Sequence, residues 1–220
     1  MENFGLFEII GPRMVGPSSS HTAGAVRIGN MARKIAGGEV KKAELTLYGS
    51  FAETGRGHGT DKALCAGILG LAPDDERLRY SMLLAQEAGV EVTVIFSDET
   101  LDHPNTARIR ITAPDGRETE VVGASIGGGN IRINELNGMN VEFSGDYPTL
   151  IVRHRDVPGV INHVTLVLAK EKVNIAFMQV FRHVRNLDAY MIIETDSPVS
   201  QEVCELIRSW SDDVTEVRSV

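Results

Sequence analysis

Thr149-Leu150-Ile151-Val152-Arg153-His154-Arg155-Asp156-Val157-Pro158-Gly159-Val160 decides the architecture of this chain. Thr149–Arg155 reads as a strand. Asp156, Pro158 and Gly159 then supply the chemistry of a tight strand-to-helix bend. Gly159–Lys172 follows as a helix, with Ile161, Val164 and Leu168 on one stripe. Working outward, Asn174–His183 and Asp188–Thr195 read as strands. Val199–Trp210 is a second helix, carrying Val203, Leu206, Ile207 and Trp210, and Asp213–Ser219 is a last strand. The order β-α-β-β-α-β in this tail is the ferredoxin-like arrangement.

Upstream, Ser144-Gly145-Asp146-Tyr147-Pro148 is the boundary the composition offers, so residues 1–146 and 147–220 are expected to be separate modules. The expected class is α+β, two α/β modules of which the second is ferredoxin-like. The Asp-x-Pro-Gly loop and the element order of Thr149–Val220 resemble the ACT domain. That resemblance implies an amino-acid site at the loop, with Asp156, Gly159 and Val160 lining it. A second reading stands beside it, in which the loop is a well-made turn and the module only dimerises.

Hydrophobic residues make up 42% of the 220 residues, enough for a packed core in each module. Net charge is −8. Lys and Arg number 14 against 20 Asp and Glu before Pro148, and 8 against 10 after it. Neither half is basic, which argues against nucleic acid or an anionic membrane as partner. Apolar runs are too short to span a bilayer, and Met1-Glu2-Asn3 lacks the features of a signal peptide. A cytoplasmic protein is expected. Cys65 and Cys204 fall in different modules and form no CxxC, so neither a disulfide framework nor a cysteine-built metal site is expected.

The first module opens with a weak strand or turn signal over Phe4–Ile10. Four polar clusters follow. In Gly16-Pro17-Ser18-Ser19-Ser20-His21-Thr22, hydroxyls and an imidazole precede a helix predicted over His21–Ala36. Free N–H groups at that helix start, with the hydroxyls, would suit a carboxylate or phosphate. The alternative is that one serine caps the helix and the rest are solvated. Tyr48–Asp61 reads as a glycine-rich loop, Gly49–Gly59, between the strand Ala43–Tyr48 and the helix Thr60–Leu71. Its glycines permit close backbone approach to a ligand. The spacing fits neither a dinucleotide fingerprint nor a Walker loop. His58 has little apolar cover from its neighbours, and Asp61 either caps the next helix or orients His58. Ser125-Ile126-Gly127-Gly128-Gly129 suggests backbone packed against a ligand or another chain, and His103-Pro104-Asn105-Thr106 reads as an ordinary turn.

Taken in order, these four clusters resemble the β part of the iron–sulfur L-serine dehydratases, and an ACT-like tail fits the two-subunit form of that family. The resemblance implies elimination of water from L-serine to give pyruvate and ammonia. It implies a [4Fe–4S] cluster acting as Lewis acid, held by the α chain and not by this one. Ser18, Ser19, Ser20, His21, Thr22 and Asp61 would bind L-serine, and His58 and Thr60 would face the reacting centre. His58 is the best candidate acid or base. The implied partners are an α subunit and, through the tail, a second copy of the chain, as a homodimer or α2β2. A reading from another class is a non-catalytic amino-acid sensor, with an allosteric anion-binding domain ahead of the ACT module.

Overall fold

A computed structural model describes residues 13–220. The expected element at Phe4–Ile10 lies outside the described residues. Two units emerge, residues 1–138 and 139–220.

In the first unit, β1 (Lys42–Tyr48) and β2 (Glu91–Phe96) pair in parallel, while β3 (Thr106–Thr112), β4 (Glu118–Gly127) and β5 (Asn130–Leu136) continue the sheet antiparallel. Within this unit the strand order is β2-β1-β3-β4-β5. β1 shows why the sequence forms a strand: Ala43, Leu45 and Leu47 are buried and the residues between them are not. A π-helical turn, Ser20–Gly24, runs directly into α1 (Ala25–Ala36). α1 buries Ile28, Met31, Ala32 and Ile35, and Gly37 in the left-handed conformation ends it. α2 (Ser50–His58), α3 (Thr60–Ile68), a 3₁₀ turn (Glu76–Tyr80) and α4 (Ser81–Glu87) fill the crossover from β1 to β2.

α1 and α3 cross at glycines. A Cβ on Gly29 would lie 2.4 Å from the Leu64 carbonyl, and one on Gly67 would lie 2.2 Å from the Val26 carbonyl. No other residue type permits that approach.

Here the structure corrects an expectation. Gly49–Gly59 is not a loop: Ser50–His58 is helical. Gly49 takes φ 51° to turn the chain out of β1, and Phe51 is fully buried, anchoring the first turn. Gly55 lets the helix sit close to β1, since a Cβ there would meet Leu47 at 3.3 Å. Gly59, at φ 72°, closes α2 and opens α3. Tertiary burial of one side chain outweighs the helix cost of glycine, about 1 kcal/mol each.

In the second unit, β6 (Met139–Phe143) precedes β7 (Thr149–Arg155), α5 (Val160–Lys170), β8 (Ile175–Arg182), β9 (Asp188–Thr195), α6 (Gln201–Ser209) and β10 (Val214–Ser219). From β7 on, this is the expected β-α-β-β-α-β order, in a sheet β10-β7-β9-β8. Val152, Leu150, Met191 and Ile193 from the strands meet Val160, Val164, Leu168, Val203 and Ile207 from the helices in one core.

Candidate active site

The first unit's site is built on one end of its sheet. Thr106 pairs with Tyr48 on one side and with Ala124 on the other. One residue further on, the same end of the sheet carries Gly49, Asn105 and Ser125. The Ser125 N–H donates to the Asn105 carbonyl at 2.9 Å, and the Phe51 N–H to the Pro104 carbonyl at 3.3 Å. Sequence segments about 50 and 20 residues apart thus become neighbours at strand spacing, about 4.8 Å.

The π-helical turn lies against this end. A Cβ at Gly24 would stand 2.0 Å from Ser125 Oγ, so the turn and the Ser125 hydroxyl are in direct contact. The wide turn changes one expectation. The N–H groups of Thr22 and Gly24 are not free for an anion, because they donate to the Ser18 and Ser19 carbonyls, each at 2.9 Å.

His21 is the hub. It is buried, at 8% exposure. Nε2 lies 3.0 Å from Thr54 Oγ1 and 3.5 Å from both the hydroxyl and the carbonyl of Ser50. Nδ1 lies 3.2 Å from Ser18 Oγ. The directions follow from one fixed bond. The Thr54 hydroxyl donates to the Ser50 carbonyl at 2.8 Å, so its oxygen accepts from His21 Nε2–H. Nδ1 is then the acceptor, and the Ser18 hydroxyl donates to it. Ser18 Oγ also accepts the His21 backbone N–H at 3.3 Å, so the capping role and the site role fall on the same serine. Burial holds His21 below the ordinary imidazole range; the Ser50 carbonyl opposes this and the neighbouring His58 adds to it.

His58, at the exposed end of α2, sits with its ring 4.9 Å from that of His21, and Phe51 meets His21 edge-on at 5.2 Å. Thr60 is fully buried with its hydroxyl unpartnered, and Asp61 Oδ1 is likewise buried and unpartnered. Asp61 neither caps α3 nor bonds His58; Gly59 occupies the cap position. Ser19 and Ser20 are half-buried beside the hub, and Thr22 is buried. His103 lies in the Asn105 loop, where Nδ1 accepts the Asn105 N–H at 3.2 Å. Burial, with the Arg132 charge second, holds its pKa below the ordinary range.

The sequence reading missed Ser50 and Thr54 as partners of His21. Their i, i+4 spacing puts both on one helix face, a signal visible only once this segment is read as helix.

The residues do not suit an iron–sulfur cluster. Among the described residues no group of three or more His, Cys, Asp or Glu is placed to hold a metal. Cys65 and Cys204 are both buried, and burial pushes the Cys65 thiol up to about 11, away from the thiolate a cluster needs.

In the second unit, Asp156 accepts from Arg182 at 2.5 Å and from the Asn186 N–H at 3.3 Å. The Arg182 hydrogen bond, foremost, holds its carboxyl below the usual range. Gly159 at φ 97° starts α5, and Val160 points into the core, which leaves only its backbone to meet a ligand. A cavity of about 440 Å³ adjoins this end, lined by Arg155, His183, Asn186, Leu187 and Asp188 among others.

Fold and site together define a class: a hydroxyl- and histidine-lined α/β unit joined in one chain to an ACT-type unit. A serine dehydratase β-chain family model matches residues 3–88, and an ACT domain model matches residues 148–209. A protein of Bacillus subtilis named a probable L-serine dehydratase β chain is 44% identical across 91% of this chain and 90% of that one. The L-serine dehydratase β chain of Peptoniphilus asaccharolyticus is 40% identical across 92% of each. A D-3-phosphoglycerate dehydrogenase of Synechocystis is 29% identical over 80% of this chain but only 32% of its own length. This chain belongs to the serine dehydratase β-chain family.

Proposed function

We propose that this chain is the β subunit of a cytoplasmic L-serine dehydratase (L-serine ammonia-lyase), supplying substrate-binding and acid/base groups for loss of water from L-serine. The observation that carries it is the meeting of three separated polar clusters at His21, within reach of His58. The hydroxyls of Ser19, Ser20 and Thr22 receive the substrate carboxylate, while Ser18 and neutral His21, bonded to each other, hold the turn that presents them. A ring of hydroxyls satisfies an anion without burying a second charge. Asp61 faces the ammonium, and Thr60 and His58 stand toward the reacting carbon, where His58 takes or gives a proton. The [4Fe–4S] cluster belongs to the α subunit; Cys65 and Cys204 are unsuited to holding it. The ACT unit pairs chains into a homodimer or α2β2, and Asp156, Gly159 and Val160 form its effector loop.

The sensor reading is weaker. The dehydrogenase that would support it is matched over a third of its length, whereas the β chains are matched almost end to end.

Co-expression with a cysteine-bearing α chain tests the proposal. Oxygen-sensitive conversion of serine to pyruvate is expected from the complex and none from this chain alone. A stable complex with a matching α chain that makes no pyruvate overturns it.

A further inference from the structure

The four polar atoms at the sheet end that find no partner are Thr60 Oγ1, Asp61 Oδ1, Asn105 Oδ1 and Ser125 Oγ. An interior polar atom without a protein partner is costly, and a ligand, an ion or a water is what completes it. The first two are already in the proposed site. The other two, Asn105 from the loop before β3 and Ser125 from β4, have not been absorbed by the function.

Asn105 and Ser125 are one step past the last paired row of β3 and β4, and the Ser125 N–H to Asn105 carbonyl bond holds the Asn105 loop in register with β4. Ser125 is fully buried, and its hydroxyl presses on Gly24 of the π-helical turn. The Asn105 loop is braced from two sides: Thr106 Oγ1 donates to the His103 carbonyl at 2.6 Å, and Gly49 lies so close that a Cβ would meet the Pro104 carbonyl at 2.7 Å. The loop backbone is thus fixed at both ends while the amide oxygen is left unsatisfied. An amide oxygen is an acceptor only, and a serine hydroxyl can donate. L-serine offers a cation to the first and an anion to the second.

Resting on the serine dehydratase reading, we infer that Asn105 and Ser125 are further substrate-binding residues: the Asn105 side-chain oxygen accepts from the α-ammonium, and the Ser125 hydroxyl donates to the carboxylate held at the Ser18–Thr22 turn. The two residues therefore set the preference for an amino acid over a plain carboxylic acid.

The test compares L-alanine with propionate, which share a skeleton and differ in the amine, by calorimetry on the assembled α–β complex. Asn105→Ala should weaken alanine about tenfold, the size of one lost charge-assisted hydrogen bond, and leave propionate unchanged. Asn105→Asp keeps the oxygen and adds charge, so it should hold or raise the preference for alanine. Ser125→Ala should weaken both ligands alike. Melting temperatures should not fall in Ser125→Ala, since no hydrogen bond is lost. Equal weakening of alanine and propionate in Asn105→Ala, or a lost preference in Asn105→Asp, overturns the inference while pyruvate formation by the wild-type complex still stands. A wild-type complex that makes no pyruvate overturns the reading beneath it.

Discussion

His21 is a single imidazole with both nitrogens occupied, and the proton's position is set from outside the ring. Thr54 is the residue that sets it, because its own proton is committed to the Ser50 carbonyl. Thr54→Val removes the acceptor for Nε2–H and frees the ring to invert its tautomer. Turnover of the α–β complex is expected to fall about 3- to 10-fold, and Thr54→Ser, which keeps the oxygen, should restore it. Equal rates in Thr54→Val and wild type would show that the tautomer is irrelevant. His58 has the opposite setting, exposed and with its ring beside that of His21. If it moves the proton, His58→Ala lowers kcat by about 10²–10⁴. An unchanged kcat with a raised KM would reduce it to a binding group.

At the scale of elements, glycines with different surroundings predict opposite outcomes. Gly67 of α3 has the backbone of α1 against it, with Gly29 Cα 2.9 Å from where its Cβ would be. Gly67→Ala must push two helices apart and should cost more than about 2 kcal/mol in chemical denaturation. Gly57 of α2 has nothing within 4 Å of its missing Cβ, and its φ is not in the left-handed region. Gly57→Ala should stabilise by about 0.5–1 kcal/mol. If Gly67→Ala were neutral, the close helix crossing would be wrong. The same contrast explains what was legible in the sequence. α5, α6 and the loop at Asp156 were readable because their periodicity and turn chemistry are local. α2 was not, because two glycines within it and one at each end outvote one phenylalanine on propensity, and only burial of Phe51 reverses the result. The π-helical turn left no trace either. Residue types flagged Ser18–Thr22, His58 and Asp61, but the row joining Gly49, Asn105 and Ser125 is a product of strand pairing. The turn reading at His103–Thr106 described the backbone well and missed what the Asn105 side chain leaves open.

At the scale of the whole molecule, buried and half-buried imidazoles in both units tie stability to pH in one direction. His21 and His103 in the first unit and His163 in the second are all held below the ordinary imidazole range, burial being the largest cause in each. Around pH 7.5 these groups are neutral folded or unfolded. As pH falls through about 6.5 the unfolded chain takes up protons that the folded chain refuses, so stability declines from there downward. A falling melting temperature between pH 7.5 and 5.5 is expected. His163→Phe, which keeps a ring stacked on Trp210 where the imidazole now lies at 4.0 Å, should shallow the slope. A flat profile in the wild type would refute the linkage.

The division of the chain is testable at this scale too. Composition puts the boundary at Tyr147, whereas contacts divide the chain at Met139. The residues in between are tied to the second unit: Ser144 Oγ donates to Glu194 at 3.3 Å, and the Tyr147 ring meets Phe177 edge-on at 5.6 Å. β6 also packs on β8 and β9. A fragment of residues 139–220 should therefore melt above one of residues 149–220. One hydrogen bond and one aromatic pair are together worth about 1–2 kcal/mol, and in a domain this small about 1 kcal/mol moves the midpoint by roughly 4–8 °C. Thermal unfolding of both fragments by circular dichroism decides it. Coincident midpoints would make Ser144–Tyr147 a plain linker and put the working boundary where the composition changes.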